Sequence, residues 1–323
     1  MLRLIIFALI FLWSATVSAQ DTVGPIGSVE AGDFRALAVT ADGNRLLIAD
    51  AENDQLRVYD FNEPSTPTLI NSVDLEGEPV AIAAAADFAL VAVRTPEADD
   101  AVRVIAPSRY ARPQGWRETN SFPVQDGVTR LVIAPDNDWA LATSPGSYTL
   151  MELLSAGEIN WLPRESEVVD AAVGDNIAYV LSRSMLVTET LGANVAMERS
   201  GELELDGTAR RINLNVRLTV GVIVLNDSDL LLFDPATLEP ISTLTVGGAA
   251  ISDVQFVSSE QGEWLALTRT GSGDITLLDV SDPANISERE PLVTGFETPV
   301  QAMTTYNELI IATDGQTVRI FQT

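Results

Sequence analysis

The sequence predicts an all-β chain folded as a seven-bladed β-propeller, closed by pairing its N-terminal strand with its last blade. Three observations carry this. A unit of short strands and turns recurs, with first strands starting near Phe34, Pro79, Val128, Val168, Ala209, Ile251 and Pro299. That spacing, roughly 40–48 residues, suits a blade of four strands. Each unit has a second strand that is continuously apolar and ends in a polar residue. Finally, the chain starts with a spare outer strand and stops one strand short.

The first unit shows the design. Arg35 to Val39 is small and apolar enough for a buried strand, and Ala41-Asp42-Gly43-Asn44 is turn chemistry, because Gly and Asn accept positive φ and Asp can bond its own backbone. Leu46 to Ala49 is a second apolar run, followed by a polar loop from Asp50 to Asp54. Leu56-Arg57-Val58-Tyr59-Asp60 alternates as a half-exposed strand does, Pro64 ends it, and Leu69 to Leu75 supplies a fourth strand.

Later units repeat the pattern. The second strands align as Leu46–Asp50, Leu90–Arg94, Ala140–Ser144, Tyr179–Arg183, Val222–Asn226, Leu265–Arg269 and Ile310–Asp314. Third strands such as Leu230–Asp234 and Ile275–Asp279 match Leu56–Asp60. Val128 to Thr208 fits the template least well. At the ends, Ile26–Glu30 resembles a fourth strand, and Val318–Phe321 resembles a third strand with no successor. Pairing them removes two bare sheet edges.

Residues 1–19 read as a secretory signal peptide: Arg3, an apolar stretch from Leu4 to Trp13, then Val17-Ser18-Ala19 before a cut at Gln20. The propeller is expected over 20–323, outside the cytoplasm, in the periplasm or extracellular space. No later segment is long enough to span a bilayer, so stable membrane insertion after signal cleavage is not expected.

The chain of 323 residues has no Cys and no His, and its 19 basic residues are all Arg. A Ser-His-Asp triad, a Cys nucleophile, a Schiff-base lysine and a His-ligated metal are therefore excluded. Any catalysis must use carboxylates, Arg, hydroxyls or a hard cation such as Ca²⁺. The formal charge is −27; without Arg3 it becomes −28, from 18 basic and 46 acidic residues. Such a surface opposes nucleic acid and anionic lipid.

Asp274-Ile275-Thr276-Leu277-Leu278-Asp279-Val280-Ser281-Asp282-Pro283 resembles the LVIVD-repeat proteins, and Ala41 to Ala49 resembles the YVTN-type, WD40-like bacterial propellers. The chain departs from true WD40 repeats: it has no His for the Gly-His pair and no Trp-Asp closing a strand. The resemblance implies a seven-bladed, exported, mostly binding or scaffold protein.

Ligands of propellers usually sit at the mouth of the central channel, lined by the loops after second strands and before first strands. Aligning first strands sets Arg35, Ala81, Arg130, Asp170, Arg211, Asp253 and Gln301 at equivalent positions. Second-strand ends add Asp50, Arg94, Ser144, Arg183, Asn226, Arg269 and Asp314. Such a charged ring either grips a polar or anionic ligand or a partner's tip, or ties neighbouring blades together. Asp170 and Asp253 are the pair a two-carboxylate glycosidase would need, but an adjacent Arg is expected to keep each ionised. Asp50–Asp54 and Asn226–Asp229 carry the oxygen ligands of Ca²⁺ sites, though turns use the same residues. Trp116, Trp139, Trp161 and Trp264 read as packing residues. The excursion Pro107–Pro123, with Arg109, Tyr110, Arg112, Trp116 and Arg117, reads as a partner-binding loop or a decorated hairpin.

The sequence thus points to an exported, non-catalytic propeller without a cofactor, binding a protein or a small polar or anionic ligand. A Ca²⁺-dependent or carboxylate-based hydrolase of the lactonase-like propeller kind is the alternative.

Overall fold

The computed structural model describes residues 24–323 apart from 31, 96–99, 109–114, 125–126, 154–158, 163–167, 192–196, 260–261 and 290, and gives only the backbone of 159–162, 191 and 197. The segment 1–19 and residues Arg109, Tyr110 and Arg112 lie outside the described residues. Seven four-stranded antiparallel sheets form the blades of a propeller. Blade one comprises β2 (Phe34–Val39), β3 (Arg45–Asp50), β4 (Gln55–Asp60) and β5 (Thr68–Asp74), and blade two β6 (Glu78–Ala84), β7 (Ala89–Arg94), β8 (Ala101–Pro107) and β9 (Trp116–Pro123). Blade three is β10 (Arg130–Ile133), β11 (Trp139–Ser144), β12 (Ser147–Glu152) and β13 (Ile159–Leu162), and blade four β14 (Val168–Gly174), β15 (Ile177–Ser182), β16 (Met185–Leu191) and β17 (Met197–Glu204). Blade five is β18 (Ala209–Leu214), β19 (Gly221–Leu225), β20 (Asp229–Phe233) and β21 (Pro240–Thr245), and blade six β22 (Ile251–Ser259), β23 (Gly262–Arg269), β24 (Ile275–Asp279) and β25 (Ser287–Glu288). Blade seven is β26 (Ala302–Tyr306), β27 (Leu309–Thr313) and β28 (Thr317–Gln322), completed by β1 (Gly27–Glu30) from the start of the chain.

Closure follows the predicted pairing. β1 lies antiparallel to β28, with Gly27 opposite Ile320 and Glu30 opposite Thr317. Val29 packs between blades seven and one with Phe34, Ile48, Ile311 and Val318. A glycine is required at 27, because a Cβ there would collide with the Pro64 carbonyl in the β4–β5 connection of blade one.

The core lies between blades, not within one. Each second strand is buried on both faces; β11 and β19 are buried at every position. That is why these strands are continuous apolar runs, where a strand with one wet face would alternate. Alternate residues serve opposite neighbours: Leu46 and Ile48 face blade seven, whereas Leu47 joins Val91 and Val93 of blade two. At ~1.5–3 kcal/mol for each large apolar side chain buried, these seams are the main source of stability. Fourth strands are the wet rim, and β21 is exposed or half-buried throughout. Trp116, Trp139 and Trp264 are buried packing residues.

Asp residues shape the turns. Asp42 Oδ1 accepts hydrogen bonds from Thr40 Oγ1 at 2.6 Å and the Asn44 amide at 3.1 Å, and Asp279 Oδ1 accepts from the Ser281 amide at 3.0 Å. Part of the acidic excess is therefore turn chemistry.

Candidate binding site at the channel mouth

First strands line the channel, and their pairing with second strands fixes which residue of each blade stands at the neck. Five first strands carry a β-bulge just inside their start, between Phe34 and Ala36, Pro79 and Ala81, Val168 and Asp170, Ala209 and Arg211, and Ile251 and Asp253. The extra residue changes the count along the strand. The residues at the neck are Ala36, Ala81, Arg130, Asp170, Arg211, Asp253 and Ala302, opposite Ala49, Ala92, Thr143, Leu181, Val224, Thr268 and Thr313. Two of the aligned positions need correction. Arg35 is the bulged residue of β2 and Gln301 precedes β26, so both sit one step towards the mouth.

The corrected neck is asymmetric. Blades three to six present Arg, Asp, Arg and Asp in succession, whereas blades seven, one and two present alanine. A cavity of about 380 Å³ is lined by the apolar Ala36, Ala81, Leu131 and Met303 and by the polar Arg130, Arg211, Asp253 and Gln255. Arg35 and Gln301 also line it. Arg35 forms an ion pair with Asp33 at 2.8 Å, and Gln301 lies over Gly315.

The two Arg–Asp couples at the neck behave differently. Arg130 Nη1 donates to Asp170 Oδ2 at 2.6 Å and to the Ile212 carbonyl at 3.0 Å. Asp170, fully buried, also accepts from the Ile212 amide at 2.9 Å and the Ala171 amide at 2.9 Å. This couple ties blades three, four and five together. Arg211, in contrast, spends only Nε, on the Ser252 carbonyl at 3.3 Å. Asp253 accepts from the Val254 amide at 2.9 Å and from Gln255 Nε2 at 3.3 Å, and no ion pair joins it to Arg211.

Burial pushes the Asp253 carboxyl above its ordinary pKa, and the attraction of Arg211 and Arg130 does not cancel that cost. For Asp253 the shift thus runs opposite to the one a neighbouring Arg alone would give: desolvation outweighs an arginine that makes no ion pair with it. A two-carboxylate pair is not assembled either, since the oxygens of Asp170 are engaged.

Above the neck, a second cavity of about 490 Å³ opens at the mouth over blades four to six, lined by Arg183, Arg210, Arg211, Asp227 and the hydroxyls of Thr129, Thr208, Ser252 and Thr270. It shares Thr129, Arg211 and Ser252 with the channel cavity, so the two are adjacent. Arg210 is paired with Asp227. Arg210, Thr129 and Ser252 were not singled out from the sequence; the Arg210-Arg211 doublet was the available signal, since the bulge sends one arginine to the mouth and the next to the neck.

Of the second-strand ends, only Arg183 reaches these cavities. Arg94 is exposed and pairs with Glu78 at 3.4 Å, and Arg269 Nη1 donates to the Ala249 carbonyl at 3.0 Å; neither lines them. Asp50 is fully buried and pairs with Arg57, while its oxygens accept from the Glu52 amide at 3.2 Å and Asn53 Nδ2 at 2.9 Å. Asp314 Oδ1 accepts from the amides of Gln316 and Thr317 at 3.0 and 2.8 Å. Asn226 Oδ1 accepts from the Thr208 amide at 3.0 Å, and Asp229 Oδ1 from Thr245 Oγ1 at 2.6 Å. These oxygens serve turns and, at Asp229, a cross-strand pair with Thr245. Among the described residues, no three carboxylates converge as a metal site would require.

No protein-family model and no curated protein sequence matches the chain. The fold itself is plain: a seven-bladed β-propeller with an asymmetric, charged neck.

Proposed function

We propose that this protein is an exported binding module of the LVIVD or YVTN kind, and that its channel mouth takes a polar or anionic group of a small ligand or a protein partner. One observation carries the proposal. In a chain of net charge −27, Arg211 lines two adjacent cavities with both Nη atoms unpartnered. A half-buried arginine with free donors is a hydrogen-bonding site for an anionic oxygen. The reading calls for no catalysis, no cofactor and no nucleic acid. Residues 1–19 have the pattern of an export signal, and an acidic, cysteine-free surface suits the periplasm or extracellular medium.

A thermal-shift titration of the purified protein with inorganic phosphate, sulfate and simple carboxylates tests the binding. A ligand present at about 100 times its Kd stabilises the fold by ~2.7 kcal/mol. The shift should vanish in Arg211→Gln and persist in Arg45→Gln, at the opposite end of blade one. Equal shifts in both variants would remove the mouth from the reading. Export is tested separately, by fractionating expressing cells and reading the N-terminus of the recovered protein; cytoplasmic recovery starting at Met1 would count against it.

A further inference from the structure

We infer that the gap between Arg211 and Asp253 is a subsite for a small zwitterionic ligand, its carboxylate on Arg211 and its ammonium on Asp253. The inference rests on the channel-mouth reading and adds the ligand class.

The two neck couples differ in one respect. Both place an Arg on one blade and an Asp at the equivalent position of the next. In blades three and four the couple is closed at 2.6 Å, and a third blade's backbone satisfies both members. In blades five and six it is open. The third blade there is blade seven, which contributes Ala302 at the neck and no bond to Asp253. Two opposite charges thus stand at equivalent positions of adjacent blades with no ion pair between them.

An open couple fits a guest that completes it. A plain anion would satisfy Arg211 while adding negative charge beside Asp253; a plain cation would do the reverse. A molecule carrying both charges satisfies both walls and leaves the net charge of the neck unchanged. The alanines at 36, 81 and 302 leave room for it on the opposite side. The raised pKa of Asp253 agrees: a desolvated, half-buried carboxylate with no ion pair resists ionising, and an arriving ammonium supplies the missing charge.

Binding of ω-amino acids from glycine to 5-aminovalerate, each with the alkanoate and alkylamine of matching length, tests this by calorimetry on the intact protein. At the length that spans the gap, the zwitterion should bind about tenfold or more tightly than either matched ion, as a charge-assisted hydrogen bond implies. Asp253→Asn should bring the zwitterion down to its alkanoate while leaving the alkanoate's affinity unchanged or improved. Arg211→Gln should abolish both. If alkanoates bind through Arg211 as tightly as the zwitterions, the mouth still takes anions and the inference falls. If no compound in the series and no inorganic phosphate binds, the underlying reading falls with it.

Discussion

Replacing Asp170 with alanine should be among the most damaging single changes at the neck. The substitution leaves Arg130, whose side chain is 20% exposed, without its counter-charge, and deprives the Ile212 and Ala171 amides of their acceptor. Breaking a buried ion pair from one side costs ~3–5 kcal/mol, and water reaching Arg130 keeps the value near the middle of that range. With an unfolding entropy of about 2.1 cal/mol/K per residue over roughly 300 residues, the melting temperature should fall by about 5–8 °C. Differential scanning calorimetry and urea titration read this directly. Removing the couple as a unit, in Arg130→Met/Asp170→Leu, should restore at least half the loss, because no charge is then stranded. Asp253→Ala provides the contrast: it breaks no ion pair and should cost under about 1 kcal/mol. If Asp170→Ala proves as mild as Asp253→Ala, or if the double variant is no better than the single, the clamp argument is wrong.

Two further outcomes are expected. Asp253→Asn should gain stability relative to the parent protein as pH rises. The native carboxyl is raised, so between its ordinary pKa and the raised one the native state holds more protons than the unfolded chain, and stability falls with rising pH until ionisation is complete. Denaturation midpoints of both proteins across that window measure this, and a relative gain on acidification would contradict it. Val29→Asp should set a charge into the seam between blades seven and one; hydrogen exchange should show β1 and β28 losing protection before the other blades, whereas uniform protection would argue against closure by this strand.

Much of the architecture was legible because burial on both faces leaves an unmistakable trace. Leu46–Ala49, Val222–Leu225 and Ile310–Ala312 are apolar without interruption only because a blade packs on either side of them. The spare strand at Ile26–Glu30 was visible for the complementary reason: an outer strand alternates, and its place ahead of the first blade left ring closure or an open, capped array, of which the structure shows closure. The neck was legible only in part. Arg130, Asp170, Arg211 and Asp253 aligned correctly, but Arg35 and Gln301 fell one residue out, since a bulge adds a residue without changing the apolar pattern. Burial of Asp253 depends on neighbours from other blades, so the direction of its pKa could not be read from charges nearby in the alignment. Arg94 illustrates a further limit: Glu78, sixteen residues away, draws it outward, and nothing in the second-strand pattern records that.

Ring closure by β1 also decides where the protein can be held. β1 is an outermost strand, with Ile26 exposed beside it, so the chain enters the ring at the rim of the disc. A tether attached there would grip the molecule by its edge and leave the arginine-lined opening unobstructed. The same geometry makes the earliest segment of the chain wait for the latest, since Gly27 finds its partner only when Ile320 has arrived. Joining segments so far apart costs on the order of 5 kcal/mol in loop entropy. Until then the final blade has a bare edge, and losing the last strand alone would leave an open ring able to pair with its neighbours.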